Sequence, residues 1–212
     1  MKLLDPDTRP DILLTYDSTV GLKDLSIVKS HMLEVCRNWG ELTYPVPPKS
    51  YFAPNWAFQC TAQFIARTMR RPWLWFEADM TPLKPGWFRT LEQAYRAAAK
   101  PCMGVLVPGM GHMNGTGIYP FDYAHWAKNA MTCIHSAWDT EQLKDLAGGK
   151  VKDASPLMQH VWGIIGGKPH PSQGPPPHFK TARELNWLDP RAVTFHRCKD
   201  SSLIDRLRER KK

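Results

Sequence analysis

Four large apolar residues in a row, Trp73-Leu74-Trp75-Phe76, are followed at once by the acidic triplet Glu77-Ala78-Asp79. An unbroken apolar run of that kind reads as a strand covered on both faces, not one that alternates between core and water. Only a layered domain supplies two covers, so the run commits the chain to a sheet packed between other elements. The triplet then falls at the carboxyl end of a buried strand, which is where open α/β sheets collect their ligands. Two carboxylates two residues apart on backbone leaving a strand can face one hydrated cation. Hard divalent ions such as Mg²⁺ and Mn²⁺ take only one or two oxygen ligands from protein when phosphates and water supply the rest. Taken alone, the same triplet reads more readily as an acidic turn whose Asp79 caps the next helix.

The rest of the chain alternates strand and helix patterns. Residues 11–16 form a short apolar run closed by Asp17-Ser18, a first strand. Leu25, Val28, Met32, Cys36 and Trp39 follow helical spacing, with Gly40 as the stop. A proline-rich connection over 45–54 leads to a second helix over 55–69. After the triplet, Pro85 and Gly86 open a helix with Trp87, Leu91, Tyr95 and Ala98 on one stripe. Residues 103–107 read as another strand, 140–147 and 155–165 as helices, and 192–196 as a late strand. Such alternation predicts a single α/β domain over 1–212, a sandwich around a mixed, mostly parallel central sheet.

One stretch breaks the pattern. Residues 166–178 hold three glycines and five prolines and exclude a helix or an inner strand, so the expectation there is a flexible loop, either padding or a lid. A basic helix over 201–212 closes the chain. From Arg197 to Lys212 there are seven basic and three acidic residues, a local surplus within a net charge of +8. That surplus is either a solvated helix or a surface for phosphate groups, on a nucleotide or on nucleic acid.

The five cysteines are widely spaced and contain no CxxC pair, which argues against zinc ribbons and a disulfide framework. No apolar run is long enough for a membrane span, and the start lacks the apolar core of a signal peptide. The expectation is a cytoplasmic protein with reduced thiols and no membrane span.

Four segments carry a more specific signal. Trp75-Phe-Glu-Ala-Asp-Met-Thr-Pro-Leu83 with Lys84-Pro-Gly-Trp-Phe88, Pro54-Asn55-Trp56-Ala57-Phe58, His112-Met113-Asn114-Gly115-Thr-Gly-Ile-Tyr119-Pro120 and His196-Arg-Cys-Lys199-Asp200-x-Ser202-Leu203 occur in that order. Together, over residues 50–205, they resemble a bacterial and phage group of GT-A glycosyltransferases, whose metal motif is of the DXD type. The resemblance implies a GT-A-like fold, Mn²⁺ or Mg²⁺ as cofactor and a nucleotide-sugar donor, a UDP-sugar in the first instance. It implies that Asp79, with Glu77, holds the metal, that His196 adds a further ligand through a neutral ring nitrogen, and that Lys199 places an ammonium against the diphosphate. It also implies that Asn55 and Trp56 touch the donor, and that His112, Asn114 and Gly115 wall the sugar or acceptor pocket. The alternative for that glycine-bearing segment is a tight turn between strands, and for Asn55 and Trp56 simply a helix start.

A base for the acceptor hydroxyl is named only by likeness, as Asp139 or Asp153, and a retaining enzyme needs none. The chain departs from the group at Ser201, where the group has glycine, and at its first strand. The compact length and basic surface suggest DNA carrying hydroxymethylated bases as one acceptor, in a phage-type system. A reading from a different class is a non-catalytic nucleic-acid-binding α/β protein using the basic tail and stacking tryptophans.

Overall fold

The computed structural model describes residues 10–107, 111–161, 163–165, 168–170 and 176–210. The chain starts with a β–α–β unit: β1 (Ile12–Asp17), α1 (Leu22–Val35) and β2 (Trp39–Tyr44), with β1 and β2 parallel. The helical spacing that includes Trp39 overshoots here. The helix ends at Cys36, and residues 39–44 pair with the first strand instead.

Helix α2 (Ala53–Thr68) opens with Pro54 in its first turn, where a missing N–H costs nothing. It leads to β3 (Trp73–Trp75), β4 (Met80–Pro82) and α3 (Trp87–Ala98). Gly86 and Ala99 flank α3 in the left-handed region, at φ 71° and φ 50°. Then come β5 (Cys102–Leu106), β6 (Met113–Tyr119), the short helices α4 (Tyr123–Trp126) and α5 (Lys128–Thr132), α6 (Trp138–Asp145) and β7 (Val151–Asp153). The chain continues through β8 (Met158–His160), β9 (Gly163–Ile165), β10 (Lys168–His170), a 3-10 helix (Ala182–Trp187), β11 (Thr194–His196) and α7 (Ser202–Glu209).

Two sheets matter for the site. One has four strands in the order β3-β6-β5-β7 and the other three, β4-β11-β8. Both are mixed, but the expected mostly parallel arrangement does not form. Pairs β1–β2, β5–β7 and β8–β11 are parallel, whereas β3–β6, β5–β6, β4–β11 and β9–β10 are antiparallel. For β5–β6 the reason is connection length: β5 reaches β6 through residues 107–112, too few for the crossover that a parallel pair demands.

The apolar run meets its expectation over Trp73–Trp75 only; Phe76 lies beyond the strand and is 42% exposed. Trp73 and Trp75 pack with Phe58, Tyr119, Tyr123 and Trp138 on one face of the four-stranded sheet. Leu74 points to the other face, with Trp87, Leu91, Met103, Ile118 and Met158. Alternate residues of one strand thus feed two cores.

Segment 112–117 corrects a second expectation. It is a strand and not a loop: Met113–Tyr119 form the fully buried central strand β6. Its glycines are there for close packing. A Cβ on Gly104 would sit 2.5 Å from the Met113 sulfur, and one on the facing Gly117 would sit 2.9 Å from the Met103 carbonyl oxygen.

The helix expected over 155–165 is absent as well; β8 and β9 occupy it. Met158 and Val161 are buried at a spacing that helices also use, and short apolar runs do not distinguish the two states. In the Gly/Pro-rich stretch, Lys168–His170 pair antiparallel with β9, while residues 166, 167 and 171–175 lie outside the described residues. The basic helix is shorter than expected, Ser202–Glu209, and 211–212 also lie outside the described residues. Among the described residues, no helix is long and apolar enough to cross a membrane.

Candidate metal centre

The acidic triplet sits where the chain passes from one sheet to the other. Beyond β3, a turn closed by the Met80 N–H donating to the Glu77 carbonyl at 2.9 Å throws both carboxylates to one side. Strand β4 begins at Met80, which lies opposite His196 of β11 in the antiparallel register. The Arg197 N–H then donates to the Asp79 carbonyl at 3.2 Å, extending the pairing past the strand end. Arg197 itself has φ 90°, a strained conformation for a residue with a side chain, directly after His196. Residues 79 and 196, far apart in sequence, become neighbours through this register.

Side chains complete the cluster. One atom each from Glu77, Asp79 and His196 lie within 4.8 Å of one another. His196 Nε2 is 2.9 Å from Asp79 Oδ1 and 3.1 Å from Glu77 Oε2. Lys199 forms an ion pair with the second Asp79 oxygen. The Asp79 side chain is 11% exposed and that of His196 10%, whereas that of Lys199 is 53% exposed. Burial by itself would raise the Asp79 pKa, but the bonds from His196 and Lys199 outweigh it and hold the carboxyl well below its ordinary value. Burial likewise opposes charge on His196, and the bonds to Asp79 and Glu77 more than offset it, so its pKa is raised.

A residue that the sequence did not single out stands behind this cluster. His160, on β8, is the parallel-register partner of His196, and the two Nδ1 atoms are 2.9 Å apart. Burial, with the charge of His196 second, pushes the His160 pKa down to about 3. No pattern could have found it, because its strand lies in a segment whose spacing reads as a helix. A cleft of about 220 Å³ lined by Val105, Leu106, Pro156, Met158 and Gln159 opens beside His160.

The remaining candidates divide into two groups. Gly115 and Asp139 come close to the cluster: a Cβ on Gly115 would lie 3.3 Å from Glu77 Oε1, 3.1 Å from the Trp138 ring and 3.7 Å from Asp139 Cβ. Burial raises the Asp139 pKa, against the pull of His112. His112 and Asn114 are both buried, the first with Nδ1 against the Met113 carbonyl, the second accepting from the Thr116 N–H.

Asn55 and Trp56 are used internally. Asn55 is fully buried; its Oδ1 accepts the Trp138 N–H at 2.9 Å and its Nδ2 donates to the Ser136 carbonyl at 2.7 Å. Its amide therefore fixes the loop that delivers Trp138 and Asp139. The Trp56 indole N–H donates to the Pro45 carbonyl. Asp153 accepts from the Ser155 N–H, closing its own turn.

Two carboxylates and one imidazole make a donor set that suits a divalent cation preferring oxygen ligands. The imidazole shifts the preference from Mg²⁺ toward Mn²⁺. The charge already gathered there points the same way: His196 and Lys199 converge on Asp79 as a cation would. The residues present therefore fit the metal that the sequence led us to expect.

No family model, curated protein or solved structure matches the chain.

Proposed function

We propose that the protein is a metal-dependent glycosyltransferase that moves a sugar from a nucleoside-diphosphate sugar to an acceptor hydroxyl. The observation that carries this reading is the convergence of Glu77, Asp79 and His196, with Lys199 on the same carboxylate, at the junction of two sheets. A divalent ion bound there supplies charge neutralisation for the diphosphate leaving group. Asp79 and His196 are the residues that would hold it, with Glu77 beside them. Lys199, at the exposed rim, would offer its ammonium to a phosphate oxygen.

In the reaction, the bond from the anomeric carbon to the diphosphate breaks and a bond to the acceptor oxygen forms. Asp139 is the group we assign to take the acceptor's proton. It lies across Gly115 from Glu77, and its raised pKa brings it closer to the working pH of a general base. A base of this kind belongs to an inverting reaction, so the anomeric configuration of the product tests the role. The net charge of +8 favours an anionic acceptor, and DNA with hydroxymethylated bases is the first to try.

The non-catalytic nucleic-acid-binding alternative has less support. Trp73, Trp75, Trp87, Trp126 and Trp138 pack within the two cores, and Arg206 and Arg208 pair with Glu209 and Asp205. The deciding experiment is a panel of sugar nucleotides with Mn²⁺, read by release of free nucleoside diphosphate. Release from at least one donor, stopped by EDTA, is expected. Mn²⁺ binding without release from any donor, alone or with acceptors, would overturn sugar transfer; absence of Mn²⁺ binding would overturn the metal centre.

A further inference from the structure

We propose that His160 is a positioning residue that fixes the ring tautomer of His196, so that Nε2 is the nitrogen offered to the cation. The proposal rests on the metal reading of Glu77, Asp79 and His196 given above. Nε2 is the His196 atom that faces both carboxylates, at 2.9 and 3.1 Å. A ligating ring nitrogen carries no proton, so the neutral ring must hold its proton on Nδ1. That proton needs an acceptor, and the atom 2.9 Å away is His160 Nδ1. A single proton lies between two Nδ1 atoms; with His196 donating, His160 accepts and carries its own proton on Nε2.

The backbone holds the pair in place. His160 and His196 are register partners at the ends of β8 and β11, and their rings meet at 4.8 Å between centroids with a 52° tilt. Neighbouring Gln159 locks β8 to the following segment: its amide donates to the Trp187 carbonyl at 2.7 Å and accepts the Asp189 N–H at 2.8 Å. Metal-bound histidines commonly direct the second nitrogen at a carboxylate or carbonyl, which sets the ring's orientation and basicity. An imidazole acceptor orients the ring without bringing a third negative charge to a site that already has Glu77 and Asp79.

The acceptor's position makes the proposal specific. In asparagine, Oδ1 is attached to Cγ just as Nδ1 is in histidine, so His160→Asn retains an acceptor at nearly the same point. Glutamine moves its oxygen one carbon further, and leucine has none. Mn²⁺ affinity of the full chain, measured by EPR titration, should fall about 10–100-fold in His160→Leu, as when such partners are removed elsewhere. His160→Gln should fall with it, and His160→Asn should stay near wild type. Equal affinity in wild type and His160→Leu, or loss in His160→Asn as large as in His160→Leu, would overturn the positioning role.

His196→Ala separates the two failures. If it abolishes binding while His160→Leu does not, the metal centre stands and only the proposal falls; if wild type binds no Mn²⁺, both fall. Should the leucine variant not fold, ¹⁵N NMR of the wild-type histidines in saturating Mg²⁺ decides. His160 protonated on Nε2 supports the assignment, and protonation on Nδ1 refutes it.

Discussion

Asp79→Asn keeps the shape of the side chain and removes its charge, which separates the roles this residue combines. Removing one partner from a fully buried ion pair costs about 3–5 kcal/mol, because the other charge is left stranded. Two features of the cluster reduce that figure. Lys199 has a side chain 53% exposed and can return to water, so its share falls into the range of exposed pairs, ~0–1 kcal/mol. Burial opposes charge on His196 and only the bonds to Asp79 and Glu77 raise its pKa, so with that carboxylate gone the ring can release a proton instead of remaining stranded. The expected loss of stability without metal is therefore about 1–2 kcal/mol. For a chain of this size that lowers Tm by about 2–8 °C.

Metal binding should suffer more. Loss of a ligand must exceed loss of a ligand's partner, so Mn²⁺ affinity should drop by at least about 100-fold. At 1.4 kcal/mol per decade, that is about 2.8 kcal/mol of binding. Thermal shift across a Mn²⁺ series, with and without EDTA, reads both quantities on one sample. Wild-type stabilisation by Mn²⁺ in the variant would remove Asp79 from the centre. A variant that fails to fold at all would make the cluster a structural ion network first, contrary to this reasoning.

Gly115→Ala would press a methyl against the Trp138 ring and Glu77 Oε1; Trp138 is stacked on Phe58 at 3.4 Å and cannot yield, so Glu77 must. We expect ~1–3 kcal/mol in urea unfolding together with weaker Mn²⁺ binding, and an unchanged affinity would contradict the placement of Glu77. Asn55→Ala strands the buried Trp138 N–H, for about 2–3 kcal/mol in urea unfolding, and a loss under half a kilocalorie would show that the amide is not needed. Asp200 accepts both the Ser202 hydroxyl and the Ser202 N–H at the start of α7; the hydroxyl first, then His178 and the N–H, hold its pKa below the usual value of 3.8. A depressed folded pKa means stability that is present above the unfolded value and lost as pH falls through the folded one. The stability gap between wild type and Asp200→Ala, about 1 kcal/mol at neutral pH, should therefore persist to pH 4 and close only below it. Closure already at pH 5 would contradict this.

Some of this was legible because local chemistry dictated it. Trp73–Trp75 had to be covered on both faces, and Pro85-Gly86 had to end one element and begin another. The triplet's place at a strand end followed from that run, and residue resemblance drew attention to His196 and Lys199. What failed was set by partners distant in the sequence. Nothing local indicates that Met113–Tyr119 is the central strand, because its two glycines look like turn residues until the Trp138 ring and Glu77 Oε1 are seen crowding the place of a Gly115 Cβ, and the Met103 carbonyl that of a Gly117 Cβ. His160 was invisible for the same reason: its significance lies in the register of β8 against β11. Of the two readings of Asn55, the helix start is what forms, with the amide turned inward to the 133–138 loop, a role set by residues far along the chain.

The charge balance of the cluster carries one more consequence. Without a cation, the two carboxylates of Glu77 and Asp79 are matched by Lys199 and by His196, whose pKa is raised toward the charged form. The network is closed, and Lys199 has little to offer an anion while it holds Asp79. Binding of a divalent ion by Asp79 would weaken that ion pair and free the ammonium at the rim, where a diphosphate would meet it. Metal and nucleotide should then bind with positive coupling, and Lys199 should be the residue that transmits it. Calorimetry with UDP tests this directly. Lys199→Ala should weaken UDP binding in the presence of Mn²⁺, by the ~1.5–3 kcal/mol of a charge-assisted bond, and leave the weak binding in EDTA unchanged. An equal loss in both conditions would mean that Lys199 is available all along and that its pairing with Asp79 has no part in donor capture.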